Sequence, residues 1–191
     1  MRKGYPNMLE ANRLLHDAYL HNPGPWADHS RVAARCARKI ADAAGMDGDK
    51  AYVLGLLHDV GRRFGRGHLM HVYHGYYYMN GLGYDNVARV CLTHSFAVQE
   101  FNVFIGHCDI PDYQQEEIRS LLMDIEYDDY DRLIQLCDCL ADSDGVVNME
   151  ERMADVKRRY GTYPQEKWDA HMNLKAYFEE KTGRDIYSIV K

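Results

Sequence analysis

The sequence lacks any long apolar run. Its most apolar stretch, Val53 to Leu57, is followed at once by His58-Asp59, whereas a membrane-spanning helix needs about 20 consecutive apolar residues. Residues 1–7 include basic side chains, but no apolar segment follows them as it would in a secretory signal. We therefore expect a cytoplasmic protein without a membrane partner.

Paired cysteines and an excess of positive charge are also missing. The five cysteines include no CxxC pair, and their odd number argues against a disulfide framework or a structural zinc module. The formal net charge is -6, whereas a protein that neutralises many phosphates of DNA or RNA presents a basic surface. We expect no long nucleic acid as partner, although a small nucleotide held through a metal remains compatible with this charge.

Alternating strand patterns and internal repeats are absent, and apolar residues recur with helical periodicity instead. The pattern predicts an all-α fold with an irregular helical array in a single domain, residues 1–191. Its core is expected at about 26–142, and a helical C-terminal extension at about 145–191. Asp28 or Ser30 is expected to cap the second helix, which Gly45 ends. Helices are predicted at 8–21, about 30–44, 48–60, 68–80, 87–98, 113–124, 129–142, 148–160 and 164–182.

Histidine is abundant, with ten residues in all and five of them between positions 58 and 94. His29, His58, His94 and Asp138 each lie three or four residues from apolar positions of their own helices, and therefore face the core. A single histidine in such a place is usually a hydrogen-bonded core residue. Four inward polar groups on separate helices favour a shared metal, because each would otherwise need its own buried partner.

The same residues resemble the HD superfamily of metal-dependent phosphohydrolases. The resemblance rests on His29, on His58-Asp59 within the sequence Leu-Leu-His-Asp-Val-Gly-Arg, and on Asp138 in a leucine-rich helix followed by Ala-Asp. It covers about residues 26–142. It implies a helical core in which the ordered pattern H…HD…D binds a divalent metal.

Two further histidines extend the resemblance to the binuclear branches of this superfamily. His74 and His94 lie between the HD pair and the final aspartate, where those branches carry additional ligands. His68 and His71 are rivals of His74, which is preferred because Gly75 follows it and would allow close helix approach. The resemblance implies that Asp59 bridges two metals, with His58 and Asp59 at the catalytic centre. The implied ligand set is His29, His58, Asp59, His74, His94 and Asp138.

A second His-Asp dipeptide, His16-Asp17, provides an internal control. No histidine precedes it to act as a first ligand, and neither Gly-Arg nor Gly-Lys follows it. We therefore interpret His16 and Asp17 as surface residues of an ordinary helix.

The implied ligands predict the chemistry. Mixed imidazole and carboxylate ligands suit one or two divalent transition metals, with iron or manganese favoured and zinc, cobalt or nickel as alternatives. Such a metal lowers the pKa of bound water from about 15.7 toward 7, which supplies hydroxide for attack on phosphorus. Arg62 and Arg63 are candidates to bind the substrate phosphate, because a guanidinium can contact it through two hydrogen bonds.

The leading hypothesis is hydrolysis of a phosphoester or phosphoanhydride bond in a small phosphorylated substrate, a nucleotide. The ligand order is similar to that of bacterial HD-type diadenosine tetraphosphate hydrolases, from which this chain departs by its longer segment between His94 and Asp138 and by its extension. The alternatives are a di-iron oxygenase of the same superfamily and a non-catalytic nucleotide or metal sensor. The sequence leaves the oligomeric state open, a homodimer included.

Overall fold

The computed structural model describes residues 4–191, and this part of the chain is almost entirely helical. The prediction of an all-α irregular array is confirmed. Two short 3₁₀-helices, Val60–Phe64 and Phe101–Val103, and one antiparallel pair of strands, β1 (Ala141–Asp142) and β2 (Gly145–Val146), interrupt the array. The α-helices of the described residues are α1 (Met8–His21), α2 (Trp26–Ala43), α3 (Gly48–Leu57), α4 (Leu69–Gly81), α5 (Asp85–Thr93), α6 (Asp112–Asp124), α7 (Asp129–Leu140), α8 (Met149–Tyr160), α9 (Gln165–Thr182) and α10 (Ile186–Val190).

The start of α2 differs from the prediction. Neither Asp28 nor Ser30 caps it, because the helix begins earlier, at Trp26, directly after Pro25. The fixed φ of proline suits the first turn of a helix, where its missing N–H is not needed. The end is as expected, since Gly45 adopts the left-handed conformation with φ 69° just beyond the helix.

The sequence pattern missed the shortest elements. Strands β1 and β2 have two residues each, which is too short for any alternation to be visible. Helix α10 has five residues and is likewise below the length at which a periodicity can be recognised. Helix α5 ends at Thr93 rather than near residue 98, so that His94 lies just beyond its last turn.

Helices α2 and α3 pack closely, and a glycine permits it. A Cβ atom at Gly55 would lie 2.9 Å from the Cα atom of Ala34, closer than side-chain carbons approach a neighbouring backbone. This approach brings the last residues of α3 beside the N-terminal half of α2. The His29 and His58 ring centroids are consequently 5.3 Å apart.

The C-terminal helices pack against the residues expected to form the core. Helices α8 and α9 contact α7, and α10 contacts α2. The Lys39 ammonium on α2 donates a hydrogen bond of 2.9 Å to the carbonyl oxygen of Val190. The extension therefore forms one wall of the region where α2 and α7 meet. No helix of residues 4–191 combines the length and the apolar character needed to cross a lipid bilayer.

Candidate metal centre

Four histidines and two aspartates from five segments of the chain converge on one place. They form two groups of three side chains whose potential ligand atoms all lie within 4.8 Å of one another inside each group. The rings of His29, His58, His94 and His71 follow one another with centroid separations of 5.3, 5.0 and 5.3 Å, so the two groups are adjacent. The first group comprises His29, His58 and Asp138, and the second comprises Asp59, His71 and His94.

The first group joins three helices. His29 lies in the second turn of α2, His58 directly follows α3, and Asp138 lies in the last turn of α7. The Asp138 Oδ1 atom is 3.0 Å from His29 Nε2 and 3.8 Å from His58 Nε2. Asp138 remains 32% exposed while both histidines are buried, so the group opens to solvent on the side of Asp138.

The second group is more deeply enclosed. Asp59 Oδ1 lies 3.1 Å from His71 Nε2 and 3.5 Å from His94 Nε2. The other carboxylate oxygen, Oδ2, accepts a hydrogen bond of 2.6 Å from Arg62 Nε. Because Arg62 occupies Oδ2, Asp59 presents Oδ1 to the histidines, and its bridging role between two metals stays a prediction.

Backbone carbonyl groups orient three of the four rings. The Nδ1 atoms of His29, His58 and His94 lie 3.1, 2.7 and 3.0 Å from the carbonyl oxygens of Ala141, Gly55 and Val90. A carbonyl can only accept, so each Nδ1 carries the proton, and the lone pair of each ring is on Nε2. This arrangement of the outer nitrogen is typical of histidines that bind a metal.

The chemistry of the donors fits a divalent transition metal. Two atoms that face the centre, His58 Nε2 and Asp59 Oδ1, are buried without a hydrogen-bond partner, and so is His71 Nδ1. Buried polar atoms are almost always paired, since each unpaired one costs about 1–3 kcal/mol. A cation held by nitrogen and carboxylate oxygen atoms would satisfy both inward-facing atoms and is a common partner for this donor set.

The charges of the centre also favour a cation. Burial opposes the ionised form of Asp59, but the Arg62 guanidinium and His71 hold the pKa of this carboxyl well below its usual range. Burial likewise opposes ionisation of Asp138, and His29 and His58 outweigh it, so the pKa of Asp138 is also far below normal. Two carboxylates therefore stay ionised in a mostly buried place.

The pKa values of the histidines depend on burial and on the charges around them. Burial lowers the pKa of His58, yet Asp138 and Asp59 more than offset this and raise it above the ordinary value. The pKa of His71 is lowered by burial and by Arg62, and that of His94 falls to about 3 through burial and the neighbouring His58. His71 and His94 are therefore neutral near pH 7, as a metal ligand must be.

In the structure His71, and not His74, lies in one of the two groups. His74 belongs to neither group, and its ring packs 5.3 Å from Phe64 and 5.5 Å from Tyr73. His68 precedes α4 and belongs to neither group, and His74, three residues beyond His71, is turned from it by about 60° around the helix axis. Gly75 does permit a close approach, because a Cβ atom at Gly61 would lie 2.6 Å from the Gly75 nitrogen. This contact does not depend on which histidine points inward.

Arg63, predicted to bind substrate, is turned away from the centre. Its guanidinium lies 3.0 Å from Asp17 Oδ2 and donates a hydrogen bond of 2.5 Å to the Tyr78 hydroxyl. Arg62, by contrast, remains beside Asp59 and lines the adjoining cleft. His16 and Asp17 are exposed residues of α1, as expected of the control dipeptide.

A cleft of about 590 Å³ leads to the two groups, and the C-terminal extension forms one side of it. This contribution was not predicted from the sequence. The signal was the stripe Lys167, His171, Leu174 and Phe178 on α9, whose spacing of four, three and four residues marks one buried helix face. Residues of the extension that line the cleft include Arg152, Arg159, Tyr160, Tyr163, Lys167 and His171.

Comparison with known proteins gives one match. The family model described as HD domain matches residues 26–142, which contain all six side chains of the two groups. Neither the curated proteins nor the solved structures include a significant match to the sequence. Proteins with this domain are generally metal-dependent phosphohydrolases. The match spans more than half of the chain and includes the His58-Asp59 pair for which the domain is named, so the chain belongs to the HD domain family.

Proposed function

We propose that this protein is a metal-dependent phosphohydrolase that cleaves a phosphoester or phosphoanhydride bond in a small phosphorylated substrate, a nucleotide. The observation that carries the proposal is the pair of adjacent groups, with His58 Nε2 and Asp59 Oδ1 buried between them and without a hydrogen-bond partner. Both groups together would hold two divalent metal ions of the iron or manganese type.

The residues of the chain have separate tasks in this reaction. A bound divalent metal supplies acidity, lowering the pKa of a coordinated water toward neutrality. His29, His58 and Asp138 would hold one ion, and Asp59, His71 and His94 the other. Arg62 fixes the Asp59 carboxylate through Oδ2 and keeps it ionised. The buried side of the centre excludes bulk water, which strengthens its electrostatic interactions with a phosphoryl group.

The cleft supports an anionic substrate with an aromatic part. Five cationic side chains but only two carboxylates line it, although the whole chain carries a net charge of -6. Aromatic rings of Trp26, Phe104, Tyr160 and Tyr163 lie on its walls and could contact a nucleobase by stacking. The five cations are Arg62, Arg66, Arg152, Arg159 and Lys167.

The proposal is tested by metal analysis and by turnover on the same preparation. Protein purified without oxygen is assayed for bound metal and for phosphate release from a panel of nucleotides. Two equivalents of metal and anaerobic phosphate release that depends on His58 and His94 would support a binuclear phosphohydrolase. Absence of bound metal, also after reconstitution, would contradict it.

The same experiment separates the two alternative functions. Oxygen consumption by the iron-loaded protein, without phosphate release, would indicate an oxygenase. Tight nucleotide binding without turnover under any of the metals would indicate a sensor. Either result would refute the proposed hydrolysis while leaving the metal centre intact.

A further inference from the structure

The buried lysine of the C-terminal extension has a position that hydrolysis alone does not explain. Lys167 lies in the first turn of α9, outside the matched residues 26–142, and is only 8% exposed. It lines the same cleft as Asp59, His94 and Asp138. Its ammonium donates a hydrogen bond of 2.9 Å to the carbonyl oxygen of Ser95, the residue after His94. The extension therefore places a cationic group beside the metal centre.

This ammonium has no counter-charge of its own. Among residues 4–191 no carboxylate forms an ion pair with Lys167, and its hydrogen bond to Ser95 is made to a neutral group. Burial lowers the pKa of Lys167 to about 8, and the more distant Asp138 opposes this shift. The side chain is therefore still mainly protonated at pH 7. A charge held in this way is costly unless a partner compensates it.

The other cations of the cleft differ in this respect. Arg62 is paired with Asp59, and Arg159 contacts Asp155 at 2.8 Å. Arg152 lies 3.9 Å from Asp142. Arg66 forms no ion pair within the described residues, but it is exposed and can be hydrated. Lys167 thus combines burial, positive charge and the absence of a carboxylate partner.

The neighbours of Lys167 hold it in place without neutralising it. His171, one turn further along α9, has its Nδ1 atom 2.9 Å from the carbonyl oxygen of Lys167 and 3.1 Å from the Tyr163 hydroxyl. Burial and the charge of Lys167 lower the pKa of His171 to about 4, so this ring is neutral. The wall formed by Tyr163, Lys167 and His171 therefore presents a single positive charge to the cleft.

We propose that Lys167 is an anion-binding residue that holds a phosphate group of the substrate against the α9 wall of the cleft. The identity of this anion as a substrate phosphate rests on the proposed function, whereas the anion site itself does not. The two carboxylates of the cleft, Asp59 and Asp138, face histidines and Arg62 rather than Lys167, so a bound anion would supply the negative charge that this wall lacks.

The test measures the binding of inorganic phosphate to the metal-loaded protein by calorimetry, without any turnover. Lys167→Met should weaken phosphate binding about 10- to 100-fold, the effect expected for loss of a charged hydrogen bond. Lys167→Gln, which can keep the hydrogen bond to Ser95 without the charge, should weaken it as much. Lys175→Met is the matched control on the same helix, because Lys175 pairs with Glu179 and does not line the cleft. It should leave phosphate binding unchanged.

A structural role of Lys167 predicts the opposite pattern. If the lysine serves phosphate binding, Lys167→Gln, which removes the charge and can keep the hydrogen bond to Ser95, should keep or raise the Tm in phosphate-free buffer, with metal content unchanged. Phosphate binding of Lys167→Gln and Lys167→Met equal to that of the unmodified protein would overturn the proposal, and so would a lowered Tm of Lys167→Gln together with a loss of bound metal. If no nucleotide is hydrolysed but phosphate binding still depends on Lys167, the anion site stands and the proposed reaction fails.

Discussion

The dipeptide His-Asp occurs twice in this chain, and the two copies have different surroundings. His16-Asp17 lies on the exposed side of α1, whereas His58-Asp59 is buried where α3 ends. In the first copy the Asp17 carboxylate lies near the His21 ring and pairs with Arg63. In the second, Asp59 faces two buried imidazoles and a guanidinium.

The difference lies in the residues around the dipeptide. His58 is preceded by the buried residues Leu56 and Leu57 and followed by Val60 and Gly61, which carry the chain inward. His16 belongs to a helix whose only buried residues are Ala11, Leu15 and Ala18, so both polar side chains of the dipeptide point outward. Whether a His-Asp dipeptide can contribute to a metal site therefore depends on whether the residues around it are buried.

The largest expected difference in metal binding is between two single variants, each of which replaces the histidine of one dipeptide by alanine. His58→Ala deletes a ring whose Nε2 faces the first group, and should weaken metal binding by at least about 100-fold, more than loss of a supporting residue would. His16→Ala removes an exposed ring and should leave metal content and phosphate release unchanged. Elemental analysis and a phosphate-release assay measure both variants. Equal metal content in the His58→Ala and His16→Ala variants would contradict a difference in metal binding between the two dipeptides.

The second prediction compares His71 with His74. His71→Ala should reduce metal uptake by one equivalent, with affinity for the second ion about 100-fold weaker, because His71 Nε2 lies 3.1 Å from Asp59 Oδ1. His74→Ala should retain both equivalents, since its ring packs on Phe64 and Tyr73 instead. Loss of metal from His74→Ala but not from His71→Ala would restore the assignment made from sequence.

His74 illustrates which part of the candidate site could be predicted from the sequence. The positions of His29, His58 and Asp138 beside apolar residues of their helices were sufficient to predict that these three side chains turn toward the core, where they form the first group. The choice among His68, His71 and His74 was not decidable in this way. Helix α4 carries apolar or aromatic residues on nearly all sides, so its periodicity does not reveal which face turns inward.

Contacts between distant segments of the chain were likewise not predictable from the sequence. Nothing in the local pattern indicates that Arg63 reaches Asp17 on α1 or that Lys167 on α9 reaches Ser95. These pairs depend on how α1 and α9 pack against the core. The helices themselves were predictable because their burial repeats along the chain, whereas long-range polar pairs leave no periodic trace.

The third prediction concerns the glycine that follows the buried dipeptide. A Cβ atom at Gly61 would lie 1.9 Å from the His71 carbonyl oxygen and 2.6 Å from the Gly75 nitrogen. Gly61→Ala should therefore lower the free energy of unfolding by about 1–3 kcal/mol, as overpacking does. Gly81→Ala is the control, because no atom lies within 4 Å of its added Cβ, and it should be neutral or stabilising. Denaturant unfolding measures both, and an unaffected Gly61→Ala protein would contradict the close packing.

The smallest effect is expected at the exposed aspartate. Asp17→Asn removes the charge that faces Arg63 at 3.0 Å, but the Asp17 side chain is 52% exposed. An ion pair with one exposed partner contributes at most about 1 kcal/mol, and less at high salt. The free energy of unfolding should fall by less than that, with metal content unchanged. The matched variant Asp59→Asn removes the charge that faces His71 and His94, and should lose metal instead. If Asp17→Asn also lost metal, the contact from Arg63 to α1 would be holding the adjacent Arg62 in place, and the two dipeptides would be coupled.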